Sequence, residues 1–251
     1  MIKTGLVGFG KTGKSVASAL LKNPDIELVW VLRKSDRQEN RDVADLLEID
    51  TVESAKVYAL SNTQVTELLE EQPVDLIIDF SSEGGIYDYA EAAADKGVKI
   101  ISAVSHYEEK EINLLKKLAK KTTVFWSPNI TLGVNYLIFA AKFLKSIAPG
   151  VDVEIIEEHF RQKSGVSGTA LKIAEALGLK KSKINSVRAG GIVGRHEVIF
   201  GFKHQTIRLI HESISREAFG NGVIFVAQHL MEKDKGFYTY EDILNPYKEN
   251  K

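Results

Sequence analysis

A short apolar run, Ile2 to Val7, ends in Gly8-Phe9-Gly10-Lys11-Thr12-Gly13, and the stretch that follows carries Val16, Ala19 and Leu20 at helical spacing. Three glycines in this spacing between a strand and a helix narrow the folds open to the chain, because each has a separate task. The first permits the tight turn, the second lets backbone N–H groups approach a pyrophosphate, and the third lets the helix pack close to the sheet. The anion then rests at the positive end of the helix. Ile26 to Leu32 is nearly all apolar or β-branched, as suits a parallel strand buried on both faces. The N-terminal segment therefore reads as a βαβ unit that binds a nicotinamide dinucleotide through Gly8, Phe9, Gly10, Lys11, Thr12 and Gly13.

The alternation continues with a strand at Val74 to Phe80, a helix from about Ile86 to Lys96 and a strand at Val98 to Ile101. This pattern predicts a doubly wound parallel sheet. Ser127-Pro128-Asn129 then breaks it, and a long amphipathic helix runs to about Ala148. Beyond lie a strand at Val151 to Glu157, a helix at Ala170 to Leu177, and successive strands at Val187–Val193, Glu197–Phe202 and Thr206–Ile210. Strands without intervening helices predict a second α+β domain built on an open mixed sheet. We expect residues 1–128 with 216–251 to form the dinucleotide domain, the last helix Arg216 to Met231 rejoining it, and residues 129–215 to form the substrate domain.

The second strand ends in Leu32-Arg33-Lys34 rather than in the carboxylate that accepts from a ribose 2′-OH. Two cations there suit a 2′-phosphate, favouring NADPH with NADH possible; alternatively they only begin a solvated, charge-rich loop. A formal net charge of −1 gives no pull toward nucleic acid or an anionic membrane. The longest apolar stretch, Tyr136 to Leu144, is too short to cross a bilayer, and the N-terminus lacks a secretory signal, so a cytoplasmic protein is expected. No cysteine is present, and His196, His204, His211 and His229 show no ligand spacing, so no metal site is expected.

The second informative stretch runs from Val153 to Leu171, from a strand end to a helix start. Ser167-Gly168-Thr169 sits where a helix N-terminus would offer N–H groups, hydroxyls and a positive dipole to a carboxylate. His159 and Lys163 lie just upstream, where either could supply a proton. The plainer alternative is that Ser167 or Thr169 only caps the helix and the other two are exposed loop residues. Glu157 and Glu158 precede His159, but neighbours on a strand point to opposite faces, so at most one can orient it.

This stretch resembles the signature E-x-H-H-x-x-K-x-D-A-P-S-G-T-A of the dihydrodipicolinate reductases, and the likeness spans nearly the whole chain. The glycine loop, Asp79-Phe80-Ser81, Asn129 to Asn135, Arg188 to His196 and His211 to Phe219 all fall in that family's order. The resemblance implies a Rossmann-type N-terminal domain and a substrate-binding and oligomerisation domain that makes a homotetramer. It implies an NAD(P)H-dependent reduction, in lysine and diaminopimelate biosynthesis, of a cyclic unsaturated imine carrying two carboxylates. By the same resemblance His159 and Lys163 have the acid/base roles, and Ser167, Gly168 and Thr169 cradle substrate. Arg33 and Lys34 contact the ribose, while Ala103, Val104 and Ser105 with Ser127, Pro128, Asn129 and Ile130 lie beside the nicotinamide.

Three features depart from the family pattern. Phe160 replaces a second histidine on the substrate side and can donate no hydrogen bond. The loop Lys163 to Thr169 is one residue shorter, and the nicotinamide-side motif reads Ala103-Val104-Ser105-His106-Tyr107, where relatives have Gly-Thr-Thr-Gly-Phe. His106 reads as an exposed loop residue. Reduction of a different imine or keto acid, or NAD(P)H binding without catalysis, are the readings that these departures leave open.

Overall fold

A computed structural model describes residues 1–51 and 55–245. In chain order its principal elements are β1 (Ile2–Val7), α1 (Lys11–Leu21), β2 (Ile26–Arg33), α2 (Val43–Leu47), β3 (Lys56–Ala59), α3 (Val65–Glu71) and β4 (Leu76–Asp79). There follow α4 (Ile86–Asp95), β5 (Lys99–Ser102), α5 (Glu109–Leu118), β6 (Thr123–Trp126), α6 (Leu132–Ile147), β7 (Asp152–His159) and α7 (Gly168–Ala176). The last are β8 (Ile184–Arg188), β9 (Arg195–Gly201), β10 (Thr206–Glu212), α8 (Glu217–Met231), β11 (Gly236–Tyr238) and α9 (Tyr240–Leu244). The chain forms two compact units, one of residues Met1–Ile130 with Phe219–Lys251 and one of Thr131–Ala218.

Unit 1 is a seven-stranded parallel sheet in the order β11-β6-β5-β4-β1-β2-β3. The strand order reverses between β1 and β4, which is where doubly wound sheets open a binding crevice. All four residues of β4 are buried, as a central parallel strand covered on both faces requires. Trp30 of β2 is fully buried, its indole N–H donates to the Gln72 carbonyl at 3.1 Å, and its ring fills the space over Gly5. A Cβ at Gly5 would stand 2.2 Å from that ring. The C-terminal segment completes the unit: Gly220 of α8 packs on Ala19 of α1, β11 adds the edge strand beside β6, and the Tyr240 hydroxyl donates to the Ile130 carbonyl at 2.5 Å.

Unit 2 is a four-stranded mixed sheet, β10-β9-β7-β8, with β7 and β8 parallel and the other pairs antiparallel. Strands β7 and β10 alternate strictly in burial, and one face of the sheet carries Val153, Ile155, Val198 and Phe200 against α6 and α7. The opposite face bears a run of ion pairs: Arg195 to Glu158 at 2.5 Å and to Glu197 at 2.7 Å, and Arg208 to Glu197. Among the described residues no helix is long and apolar enough to cross a membrane.

The fold class matches the expectation, but one strand is displaced. A strand was expected at Val187–Val193; β8 instead spans Ile184–Arg188, and residues 189–194 form a turn. Gly190 adopts a φ of 48° there, the Ala189 amide donates to the His159 carbonyl at 3.0 Å, and the Arg161 amide donates to the Gly190 carbonyl at 3.1 Å. Asn185 and Ser186 disguise the strand as polar sequence, because Ser186 meets a buried carboxylate rather than an apolar neighbour.

Gly5→Ala forces a methyl group into the Trp30 ring, and overpacking of this kind costs about 1–3 kcal/mol. A urea denaturation midpoint equal to that of the parent protein would show that the β1–β2 layer tolerates the group.

Candidate active site

Unit 1 gathers its candidate residues at the carboxyl ends of its strands. After β1, Gly8 turns the chain with φ of 96°, a left-handed conformation that glycine adopts without a Cβ clash. A Cβ on Gly8 would lie 2.6 Å from the Phe80 carbonyl and 2.7 Å from the Ser81 nitrogen, and one on Gly13 would lie 2.1 Å from the Gly8 oxygen. Nothing stands within 4 Å of the same position on Gly10, and no side chain caps α1 there. The first turn of α1 thus presents its N–H groups to open space, and the residues fit a dinucleotide pyrophosphate.

A cavity of about 620 Å³ runs from Gly8, Phe9 and Gly10 to Arg33 and Lys34 at the end of β2. The Arg33 guanidinium donates to Gln38 Oε1 at 2.6 Å, and Lys34 is exposed. A second cavity, about 450 Å³, is lined by Thr12, by Ala103, Val104 and Ser105, and by Pro128, Asn129 and Ile130. Three expected residues line neither cavity: Lys11 is exposed, while Gly13 and Ser127 are buried. Ser127 shapes the neighbouring turn, its hydroxyl donating to the Asn129 carbonyl at 2.6 Å. Phe80, Ser81 and Ser82 border both cavities, and exposed His106 and Phe219 border the second. Their place directly after β4, at the reversal point, is the sequence signal that could have selected Phe80 to Ser82.

Asp79, fully buried, ties these walls together. Its Oδ1 accepts from the Ser81 amide at 2.8 Å and the Ser81 hydroxyl at 2.5 Å; its Oδ2 accepts from Tyr89 at 2.8 Å and Tyr107 at 3.1 Å. Burial pushes the Asp79 carboxyl above the usual carboxylate range, against the pull of these donors. Tyr107 closes the Ala103–Tyr107 segment, so the turn after β4 and the loop after β5 hang on one carboxylate.

In unit 2 the residues converge on Glu157. Strand alternation puts Glu157 and His159 on the face of β7 that carries Val153 and Ile155, and sends Glu158 to the other face, to Arg195. Glu157 has no exposed surface. Its Oε2 lies 2.5 Å from His159 Nδ1 and accepts from Arg188 Nη1 at 3.0 Å; its Oε1 accepts from Arg188 Nη2 and from Ser186, each at 2.6 Å, and from the Ser167 amide at 3.4 Å. Burial opposes ionisation of Glu157, but Arg188, Ser186 and His159 outweigh it and hold the carboxyl at about 2. Arg188 also donates to the backbone carbonyls of Lys163 at 3.0 Å and Gly165 at 2.5 Å. One guanidinium thereby joins the carboxylate to the loop that carries Lys163.

His159 is buried, not a loop residue, whereas Lys163 is half-buried and Phe160 is exposed. Desolvation lowers the His159 pKa, and Lys163 and Arg188 add to that, while Glu157 works the other way. With Glu157 against Nδ1, the neutral ring offers Nε2 as its free nitrogen. Ser167 caps α7, placing Gly168 and Thr169 in the first helical turn. His196, read from sequence as isolated, packs edge-on against His159 with ring centroids 5.3 Å apart and sits 2.9 Å from Ser167 Oγ. Arg188 and His196 were thus missed as parts of one cluster, while the choice between Glu157 and Glu158 as the partner of His159, left open by the sequence, falls to Glu157. The signals were indirect, namely β7 parity for Glu157 and the Arg188 to His196 motif for the others.

Two family models match the chain, one over each half. The model described as dihydrodipicolinate reductase, N-terminus, matches residues 2–130, and that described as dihydrodipicolinate reductase, C-terminus, matches residues 130–244. The chain belongs to the dihydrodipicolinate reductase family. It is 30% identical to the 4-hydroxy-tetrahydrodipicolinate reductase of Caldanaerobacter subterraneus, over 94% of each chain. With the enzyme of the same name from Dictyoglomus turgidum it shares 31% identity over 98% of each. The fold superposes on a dipicolinate-bound dihydrodipicolinate reductase from a Paenisporosarcina species with a TM-score of 0.81 and 22% identity, covering 98% of this chain and 100% of that one. Phe160 stands exposed, next to the buried His159 that is held against Glu157.

The two buried groups predict a stepped acid response. His196 is held down at about 4, by burial first and then by His159 and His211. A histidine with a lowered folded pKa binds fewer protons than in the unfolded chain, so its contribution is complete above about pH 6.5 and is lost toward pH 4. The Glu157 contribution, from a carboxyl lowered to about 2, persists to about pH 4.5 and is lost toward pH 2. Thermal melts across pH 7 to 4 should show a falling midpoint that His196→Phe flattens; an equal fall in both proteins would refute the assignment.

Proposed function

We propose that the chain is an NADPH-dependent reductase that converts 4-hydroxy-tetrahydrodipicolinate to tetrahydrodipicolinate in the cytoplasm, a step of lysine and diaminopimelate biosynthesis. Membership of the reductase family supports the reaction class. The observation that carries the reading is the Glu157 carboxylate, which holds His159 by Nδ1 and, through Arg188, the loop of Lys163.

In this reading the 4-hydroxyl leaves as water, and a bound nicotinamide would supply a hydride to a ring carbon of the unsaturated imine so formed, a proton taking up the displaced electron pair. The chain's own residues do the rest. Gly8, Gly10 and the start of α1 hold the pyrophosphate, with Phe9, Lys11, Thr12 and Gly13 completing that turn. Arg33 and Lys34 meet a 2′-phosphate, since no carboxylate ends β2 to repel it. Ala103 to Ser105 and Pro128 to Ile130 border the nicotinamide; Asp79, through Tyr107, anchors the first of these segments, and Ser127 shapes the turn of the second. Gly168 and Thr169 at the start of α7, with Ser167 beside them, receive a substrate carboxylate. Lys163 attracts the dianion and returns a proton to it, and neutral His159, with Nε2 free, shares the proton handling. Phe160 supplies apolar contact where relatives have a donor.

The assay follows NADPH oxidation with freshly generated substrate. His159→Ala and Lys163→Met should each lower kcat by roughly 100-fold, and Arg33→Glu should raise the KM for NADPH more than that for NADH. Tight NADPH binding without turnover would replace the reading by a binding role, and turnover of another imine or keto acid only would replace the substrate.

We further propose a homotetramer formed through the open face of the unit 2 sheet. Val187 and Ile210 are exposed on that face beside the Glu158-Arg195-Glu197-Arg208 ion pairs, a mixed surface suited to a symmetric contact. Light scattering should give four times the chain mass, and Ile210→Glu should reduce it; a monomeric parent protein would exclude the assembly.

A further inference from the structure

The hydrogen-bond partners of Ser167 leave one donor over. Its hydroxyl oxygen accepts from the Ala170 amide at 3.4 Å as the cap of α7 and lies 2.9 Å from His196 Nε2. His196 is 4% exposed, and its Nδ1 is buried with no hydrogen-bond partner among the described residues. A neutral imidazole carries a single N–H. Were that hydrogen on Nδ1, a buried N–H would lack any acceptor, which is rare and costly in folded proteins. On Nε2 it is satisfied by Ser167, and only a lone pair at Nδ1 goes unmet. Both acceptor sites of the Ser167 hydroxyl are then in use, by His196 and by Ala170. Its own hydrogen has no acceptor among the described residues.

We propose that His196 is a positioning residue that fixes Ser167 as a hydrogen-bond donor to a substrate carboxylate at the start of α7. The inference rests on the dicarboxylate reading given above. The donor is directed because the two bonds it accepts fix the remaining direction around the oxygen. His196 is itself held by the His159 ring, so the carboxylate donor and the acid/base group share one packing contact. In a chain whose Phe160 offers no hydrogen bond, a fixed donor at Ser167 carries a larger share of carboxylate recognition.

A double-mutant cycle tests it, using the full-length protein saturated with NADPH, pyridine-2,6-dicarboxylate as the titrant and calorimetry as the readout. His196→Phe and Ser167→Ala should each weaken binding roughly tenfold, as loss of a hydrogen bond to a charged group does. The double variant should bind no more weakly than either single one. Substrate KM should rise in parallel with kcat changed less than about threefold, and His196→Gln, which keeps an N–H donor, should restore binding to within about threefold of wild type. Should His196→Phe not fold, His196→Met takes its place in the cycle. Additive losses, or unaltered binding by a folded His196→Phe or His196→Met protein, overturn this inference alone. Failure of the wild-type protein to bind the dicarboxylate overturns the functional reading and this inference with it.

Discussion

An ionised carboxylate kept out of water is the constraint on which unit 2 depends. Glu157 retains its charge at zero exposure because two guanidinium N–H groups, a serine hydroxyl, a histidine and a backbone amide surround it. Burying such a charge costs several kcal/mol unless its oxygens are fully met, and removing one partner leaves that cost exposed. The partners therefore cannot drift independently. Arg188 binds the carboxylate and the 163–165 backbone together, so the histidine ring, the lysine loop and the cap of α7 share one reference point. Such rigidity lets a proton donor and a carboxylate receptor be set to within a fraction of an ångström.

Unit 1 solves the analogous problem with Asp79. Here the donors are neutral, from Ser81, Tyr89 and Tyr107, and burial raises the carboxyl rather than leaving it strongly acidic. The glycine turn leans on the same backbone, since Gly8 approaches Phe80 and Ser81 too closely to admit any Cβ. Tyr107, at the end of the loop after β5, adds a hydroxyl to this network.

Much of this was legible in the residues, and the reasons differ from one element to the next. The glycine hexad and the apolar run of β2 define a βαβ unit because parallel strands buried on both faces leave a continuous hydrophobic signature. His159, Lys163 and Ser167 stood out through their resemblance to a family signature rather than through spacing. Strand parity alone separates Glu157 from Glu158. What stayed hidden depends on partners far along the chain: Ser186 looks like loop sequence until Glu157 is placed beside it, and β8 was consequently read several residues late. Lys11 joined the expected cofactor set by belonging to the hexad, yet a helix start turns its side chain outward. Single-residue roles follow from sequence when they are local, and become visible only in three dimensions when a buried charge recruits partners from two strands and a helix cap.

Unit 2 is spliced into unit 1, and this has a consequence for synthesis. The edge strand β11 pairs with β6, and Thr123 reaches the Asp234 carbonyl 111 positions later. A nascent chain that has emitted the first six strands therefore holds an unfinished sheet, its β6 margin uncovered, while the whole of residues 131–218 is still being made. Closing so long a loop adds little to the equilibrium cost, which grows only logarithmically with length, but it delays the last native pairing and prolongs exposure of a bare strand. The vulnerable moment in the life of this protein is thus translation of its second unit, when cleavage or misassociation at the β6 margin competes with arrival of α8 and β11.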